Sequence, residues 1–495
     1  MRINHVWRLT ILGWALGLLA ARPVQAADVL PEARQDFSTD PKWDGLNNRT
    51  DKTPCRTTWQ DFGYSPGTAH GGGAPGEIGG AIQVAADLAY YAQRLPKPLT
   101  LKDRLSASGR VAFPDRSSRG AFLMGFFNAD TASGWRTRNS LAMRLDDRGG
   151  DERTGVLHAH IEYCTDRWRA GGDYLGTRDA ATGKKKLKEF PIAGVHRWSF
   201  NYDPDASDGR GAVTFTFDGD QVVMVLDPGH KADGAVFNRF GLFNVMKSSD
   251  NRVVVFMDDV TINGQTEDFT RDPGWDQQGN RRKFEDCIVR PRFDFGYSPT
   301  SFAGGSPGEL GGVVFRGDSL KPNMMAFYAD RLEPLTIDAP LTASGKVCLK
   351  RGISDSTVLL GWFHSEDSLT TGDGSKALPR SFLGVMVEGP SSEGFLFGQA
   401  YRFGGQYAHA RGPHILPDGR PHNWSLRYDP TAAGGRGRIT VQLDEKSVGL
   451  DLGEGHRAEG VRFNRFGIIT TCIDGNYQII YFDDLTYTAR ETGRP

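Results

Sequence analysis

Phe237-Asn238-Arg239-Phe240-Gly241 comes back as Phe463-Asn464-Arg465-Phe466-Gly467, and the rest of the chain recurs around that pair. Asp61-Phe62-Gly63-Tyr64-Ser65-Pro66 returns as Asp294-Phe295-Gly296-Tyr297-Ser298-Pro299, and Pro75-Gly76-Glu77 as Pro307-Gly308-Glu309. His196-Arg197-Trp198 has its twin in His422-Asn423-Trp424, and Asp258-Asp259-Val260-Thr261 in Asp483-Asp484-Leu485-Thr486. A repeat this long is a duplicated domain, not a solenoid unit. Each copy opens on Asp-Phe followed by Trp, first as Asp36-Phe37 with Trp43 and then as Asp268-Phe269 with Trp275. The expected domains are therefore 27–264 and 265–488, each closing its own core, with a tail at 489–495.

The local patterns are those of strands. Ala212 to Phe217 alternates apolar and polar residues, meets Asp218-Gly219 and resumes at Val222, which is a hairpin signal. Ala81 to Leu95 is rich in Ala and Leu and invites a helix. Its twin between Val313 and Leu332 is longer and carries Gly317 and Pro322, which a helix tolerates poorly and a loop absorbs. Strand-loop-strand is the expectation there. With 62 Gly, 26 Pro and 38% hydrophobic residues, the composition suits a turn-rich all-β protein.

Residues 1–26 read as a signal peptide: Arg2 and Arg8, an apolar run from Leu9 to Ala21, then Val24-Gln25-Ala26. That run is too short to span a bilayer. The expected product is secreted or periplasmic. Removing the segment takes away three Arg and no acid, moving the net charge from -1 to -4. No basic surplus remains for nucleic acid or an anionic membrane. The oligomeric state has no signature. Five Cys cannot all pair within one chain. The expected bridges are Cys55–Cys164 and Cys287–Cys472, leaving Cys348 over, against the alternative that several are buried thiols.

The opening Asp-Phe plus Trp, the long β-rich middle and the closing Phe-x-Asp-Asp-Val strand resemble the concanavalin A-like lectin/glucanase jelly rolls, a superfamily that includes laminin-G-like modules. The resemblance implies two tandem β-sandwiches of this type and a glycan-related role. It also implies a structural Ca²⁺ held through Asp258 and Asp483, where the alternative is satisfaction by backbone N–H groups or by Arg239 and Arg465. The Glu-x-Asp-x-Glu strand of the glucanase members is missing. So are the Arg-x-Glu-Leu and Gln-x-His motifs of the alginate-lyase type.

His158, His160 and Glu162 share one strand face in steps of two residues, a set suited to metal ligation or to acid/base work. Tyr174 follows on the next strand, so His160, Glu162 and Tyr174 are the catalytic candidates. Arg and aromatic residues cluster around two Gly-Gly turns. Trp135, Arg138, His158, Trp168, Arg169 and Tyr174 in the first copy, and Trp362, His364, Gln399, Arg402 and Tyr407 in the second, are the expected ligand-binding set. Aromatic faces stack on sugar rings, and Arg pairs with carboxylates. The leading expectation is an exported protein that binds a polysaccharide through concave, aromatic- and Arg-bearing sheet faces. A polysaccharide lyase or glycoside hydrolase working in the first domain is one alternative, and a structural or protein-interaction module is the other.

Overall fold

The computed structural model describes residues 30–49, 55–115, 119–146, 155–370 and 377–490, so the signal-peptide reading lies outside it. The chain is all-β, with its strands in antiparallel sheets stacked two by two. In the first unit the back sheet runs Asp220–Val225, Ala212–Phe217, Val195–Asp203, Leu105–Ala112, Arg252–Ile262, Glu77–Gln83, Arg56–Ser65 and Arg281–Asp286. Its front sheet runs Ala170–Tyr174, Val156–Cys164, Ser140–Asp146, Ala121–Phe127, Val236–Asn244, Tyr90–Thr100 and Asp276–Gln278. The second unit repeats both orders, from Lys446–Asp451 to Phe293–Ser298 behind and from Gln406–His409 to Asp44–Leu46 in front. Residues 81–95 are strand, loop and strand, as expected.

The two units exchange their opening segments. Glu32–Gln35 pairs with Tyr477–Thr488, and Asp44–Leu46 with Phe327–Leu335, so the start of the first repeat completes the second sandwich. Gln265–Glu267 stays on Arg252–Ile262, Asp276–Gln278 adds to Tyr90–Thr100, and Arg281–Asp286 adds to Arg56–Ser65, all in the first sandwich. The cores follow: Phe37 and Trp43 are buried in the second, Phe269 and Trp275 in the first. A unit in space is thus 55–286, or 293–490 plus 30–49. This displaces the expected 264/265 boundary, and neither half closes on its own first strand.

The repeated motifs serve this exchange. Arg239 places Nη2 2.8 Å from Asp276 of the incoming strand, and Arg465 does the same to Asp44. Asn238 and Asn464 accept the backbone N–H of Ala129 and Ser365, pinning the neighbouring loops. Gly76 and Gly308, at φ 111° and 109°, admit the backbone of Phe269 and Phe37; a Cβ would lie 2.2 and 1.9 Å from those carbonyl oxygens. Only glycine combines that dihedral with that approach. Glu77 and Glu309 are likewise structural, accepting the N–H groups of His70 and Gly71, and of Phe302 and Ala303.

The disulfide joins Cys55 to Cys287, while Cys164, Cys348 and Cys472 are buried thiols. The expected pairings with Cys164 and Cys472 fail because Arg56 lies opposite Asp286 across paired strands, which brings the twin cysteines together just beyond them. The bridge closes a loop of 232 residues. Cys287→Ser should therefore cost about 3–5 kcal/mol in urea unfolding. A non-reducing peptide map should recover Cys55 linked to Cys287; recovery of a Cys55–Cys164 peptide would refute the exchanged topology.

Candidate functional site

Leu157, Ala159, Ile161 and Tyr163 of Val156–Cys164 belong to the first core, so His158, His160 and Glu162 project from the opposite face of the front sheet. Strand register builds the rest. Arg144 stands opposite His160 on one side and Tyr174 opposite it on the other. Asp146 stands opposite His158, and Glu162 lies between Ala142 and Gly172. Six polar side chains from three strands thus share one patch, including all three catalytic candidates.

Arg144 is the hub. Its Nη1 is 3.0 Å from Glu162 Oε2, its Nε donates to Asp146 Oδ2 at 3.1 Å, and its Nη2 donates to the Tyr174 hydroxyl at 2.7 Å. That hydroxyl donates to Asp146 Oδ2 at 3.0 Å. His160 Nδ1 is 3.0 Å from the same Glu162 oxygen, and its ring centroid is 4.3 Å from that of Tyr174. The half-buried Trp135 covers the guanidinium at 4.6 Å. Arg144, His160 and Glu162 are each no more than 3% exposed. Burial opposes ionisation of Glu162, but Arg144 and the adjoining His160 outweigh it and pull the carboxyl down to about 2. Burial, reinforced by Arg144, pushes His160 down to about 4. At neutral pH Arg144 is a cation, Glu162 a carboxylate and His160 a neutral imidazole. Asp146 Oδ1 and His158 Nδ1 are buried without a hydrogen-bond partner among the described residues.

The patch reaches solvent at its edge. Gly172 is exposed, and a Cβ there would sit 2.6 Å from His160 Nε2. A hollow of about 320 Å³ opens beside it, lined in part by Arg136, Gly171, Asp173, Arg178 and Ser392.

The second unit has no counterpart. Tyr163 pairs with Leu141 and sets its hydroxyl 2.8 Å from His230; Tyr401 pairs with Leu383 and sets its own 2.8 Å from His456. That shared register puts Met386, Gly398 and Ala400 where the first unit has Arg144, His160 and Glu162. Met386 and Ala400 join Phe327, Leu359, Phe363 and Phe382 in a buried apolar cluster.

Other expected binding residues fall elsewhere. Gln399 faces the second core, donating to the Ile439 and Val448 carbonyls, because it is one residue out of register with His160. Trp362 is also core, its Nε1 donating to the Thr488 carbonyl. Arg402 is buried and donates to the Leu378 and Gly404 carbonyls. None of these three is open to a ligand. His364 accepts two backbone N–H groups in its turn. Arg138 pairs with Asp166, and Arg169 with Asp233 and Glu393. Trp168 is half-buried in the following turn, and Tyr407 is exposed. Sequence reading missed Arg144 and Asp146. They alternate on a strand flanked by apolar residues, and that placement was the available signal.

The Asp258 and Asp483 surroundings do not suit calcium. Each carboxylate caps the backbone N–H of the next residue, and the register sets a cation opposite each, Arg110 and Lys346. Arg110 is 3.7 Å from Asp258, and Lys346 pairs with Asp484 at 2.7 Å. No group of three or more His, Cys, Asp or Glu suited to a metal occurs among the described residues. Arg239 and Arg465, the alternative partners, are spent on the exchanged strands. No described helix is long and apolar enough to cross a membrane.

No family model matches the sequence, and no curated protein matches it. The solved structures it is similar to include laminin LG domains, a family-16 glycoside hydrolase and alginate lyases, the kinds of protein to which the sequence resemblance pointed. Domains LG4-5 of the mouse laminin alpha1 chain align at 12% identity over 82% of this chain and 89% of that one, with a TM-score of 0.24. A family-16 glycoside hydrolase from Bacteroides ovatus aligns at 13% identity over 46% and 99%, at 0.24. An alginate lyase from Pseudomonas aeruginosa aligns at 11% identity over 35% and 68%, at 0.19. Such scores say nothing about a site or an activity, and the sandwich stands on its own strand pairing.

Two outcomes follow from the patch. His160 binds a proton less readily folded, at about 4, than an ordinary imidazole at 6.5, and Glu162 less readily, at about 2, than an ordinary carboxyl at 4.5. The unfolded chain therefore takes up more protons, and stability falls as pH drops, through His160 between about 6.5 and 4 and through Glu162 between about 4.5 and 2. His160→Gln should flatten the upper part of the melting-temperature profile; an unchanged slope there would contradict the buried neutral imidazole. Arg144→Met should cost about 3–5 kcal/mol by stranding Glu162, and adding Glu162→Ala should recover much of it.

Proposed function

We propose that this chain is an exported carbohydrate-binding protein that takes a neutral, hydroxyl-rich polysaccharide at the Gly171–Gly172 edge of the first unit. The observation that carries this reading is the hollow at Gly172. It is lined by Tyr163, Gly171, Gly172 and Met224 at the edge strand, and the other face of that strand carries the half-buried Tyr174 beside His160, where imidazole, phenol and carboxylate groups converge without a surplus of positive charge. Sugar hydroxyls both donate and accept, which suits such a mixed set. A disulfide between distant strands supports export to an oxidising compartment.

A lyase reading in the first unit draws on the neutral His160, ready to accept a proton beside the Tyr174 ring. Against it, Arg144 is already held by Glu162 and Asp146, leaving it no capacity to neutralise a uronate. A hydrolase needs a carboxyl that stays protonated near neutrality, and Glu162 falls to about 2.

The test is a glycan array with the full chain, followed by titration of the best ligand. Gly172→Val, whose side chain would press on the His160 ring at the edge of the patch, should weaken binding at least about tenfold, equivalent to about 1.4 kcal/mol. Unsaturated, ultraviolet-absorbing products from a uronate polymer, lost in Tyr174→Phe, would establish the lyase instead. Binding indifferent to Gly172→Val would move the site elsewhere, and an array without any ligand would leave an interaction module.

A further inference from the structure

The two units meet along a seam in which the second unit reaches into the first. Glu393 sets Oε2 3.2 Å from Arg169 Nη1 and Oε1 3.1 Å from His230 Nε2, while the Ser392 carbonyl accepts the Ala170 N–H at 2.9 Å. Burial opposes the Glu393 charge, but hydrogen bonds from His230 and Arg169 hold its carboxyl below the usual range. Arg169 is further neutralised by Asp233, with Nε 2.6 Å from Oδ2.

A cleft of about 640 Å³ opens beside this bridge, with Leu416 and Leu443 among its lining. Arg167 of the first unit and Lys446 of the second line the same cleft; both are exposed, and neither has an ion pair among the described residues. His422 also lines the cleft. Its Nδ1 is held 2.7 Å from Asp444, and its buried Nε2 faces Asp418 at 3.9 Å. The Asp418 carboxylate, outweighing burial, and Asp444 raise its pKa. Against these stands one lining carboxylate without an ion pair among the described residues, Glu445.

We propose that this seam is a second, separate glycan site, selective for an acidic oligosaccharide. Arg167 and Lys446 take its carboxylates from opposite walls, and the half-buried Leu416 lies against an apolar sugar face. Arg and Lys differ usefully here: the guanidinium matches a carboxylate in two-point contact, and the ammonium acts as a point charge. Because the walls belong to different units, an occupant bridges the seam that Glu393 already ties.

The experiment is calorimetric titration of the full chain with tri-galacturonate, with maltotriose as the neutral comparison. Tri-galacturonate should bind, more weakly at high salt, and the Arg167→Ala/Lys446→Ala double variant should lose at least about tenfold in affinity. Glu445→Gln should tighten binding, a gain that no folding defect can produce. Gly172→Val should leave this affinity unchanged, which separates the seam from the Gly172 site. Absence of tri-galacturonate binding, equal binding of maltotriose, or an unaltered affinity in the double variant would each overturn the proposal.

Discussion

The structure depends on a reciprocal exchange fixed by two ion pairs, each joining a buried arginine to a partly exposed carboxylate, Arg239 with Asp276 and Arg465 with Asp44. Each arginine is about nine-tenths buried, so it needs its partner, and in each case the partner arrives on the opening segment of the other repeat. Phe37 and Trp43 on one segment and Phe269 and Trp275 on the other then fill the cores they reach. For the first sandwich this is a local event, since Asp276–Gln278 follows directly in the chain. For the second it is the longest closure available, because Glu32 must find Thr488. Loop-closure entropy grows only slowly with length, so such a clasp is affordable once the cores supply apolar burial. The disulfide stands at the crossing point, where Cys55 and Cys287 begin the segments that run back into their own units.

The same exchange orders the edge of the polar face. With the opening segments crossed and the ends of the chain clasped, the Ser392–Glu393 turn of the second unit lies against Ala170 and Arg169 at the edge of the first front sheet. That edge strand carries Gly172 and Tyr174, so the opening of the polar patch is framed by both units. The hollow at Gly172 and the wider cleft at Arg167 both lie along this edge.

Much of this was legible in the residues. The duplication, the strand-rich pattern, the hairpin at Asp218-Gly219 and the loop within 81–95 follow from period, turn chemistry and comparison of twins. His160, Glu162 and Tyr174 were found because strand periodicity puts them on one face. The exchange was not legible, since a segment pairing with its own unit or with its twin leaves the same residues in the sequence; only the partner differs. The Cys55–Cys287 bridge was hidden for that reason. Gln399 misled because a short indel between the copies shifts register by one, and one residue turns a strand side chain from the outer face into the core.

The polar patch also has to be explained against its own twin. Met386, Gly398 and Ala400 close the equivalent face with ordinary apolar packing, so the fold does not require Arg144, His160 and Glu162. Replacing a buried ion network by apolar residues is often neutral or stabilising, which makes stability a poor reason for keeping one. What the network provides and the apolar face does not is a fixed set of donors and acceptors, held at Tyr174 and His160 beside a glycine that leaves their edge uncovered. Orienting polar groups in advance lowers the entropic cost of binding a flexible, hydroxylated ligand. One copy therefore closes this face with apolar packing, and the other carries a buried polar network with an exposed edge.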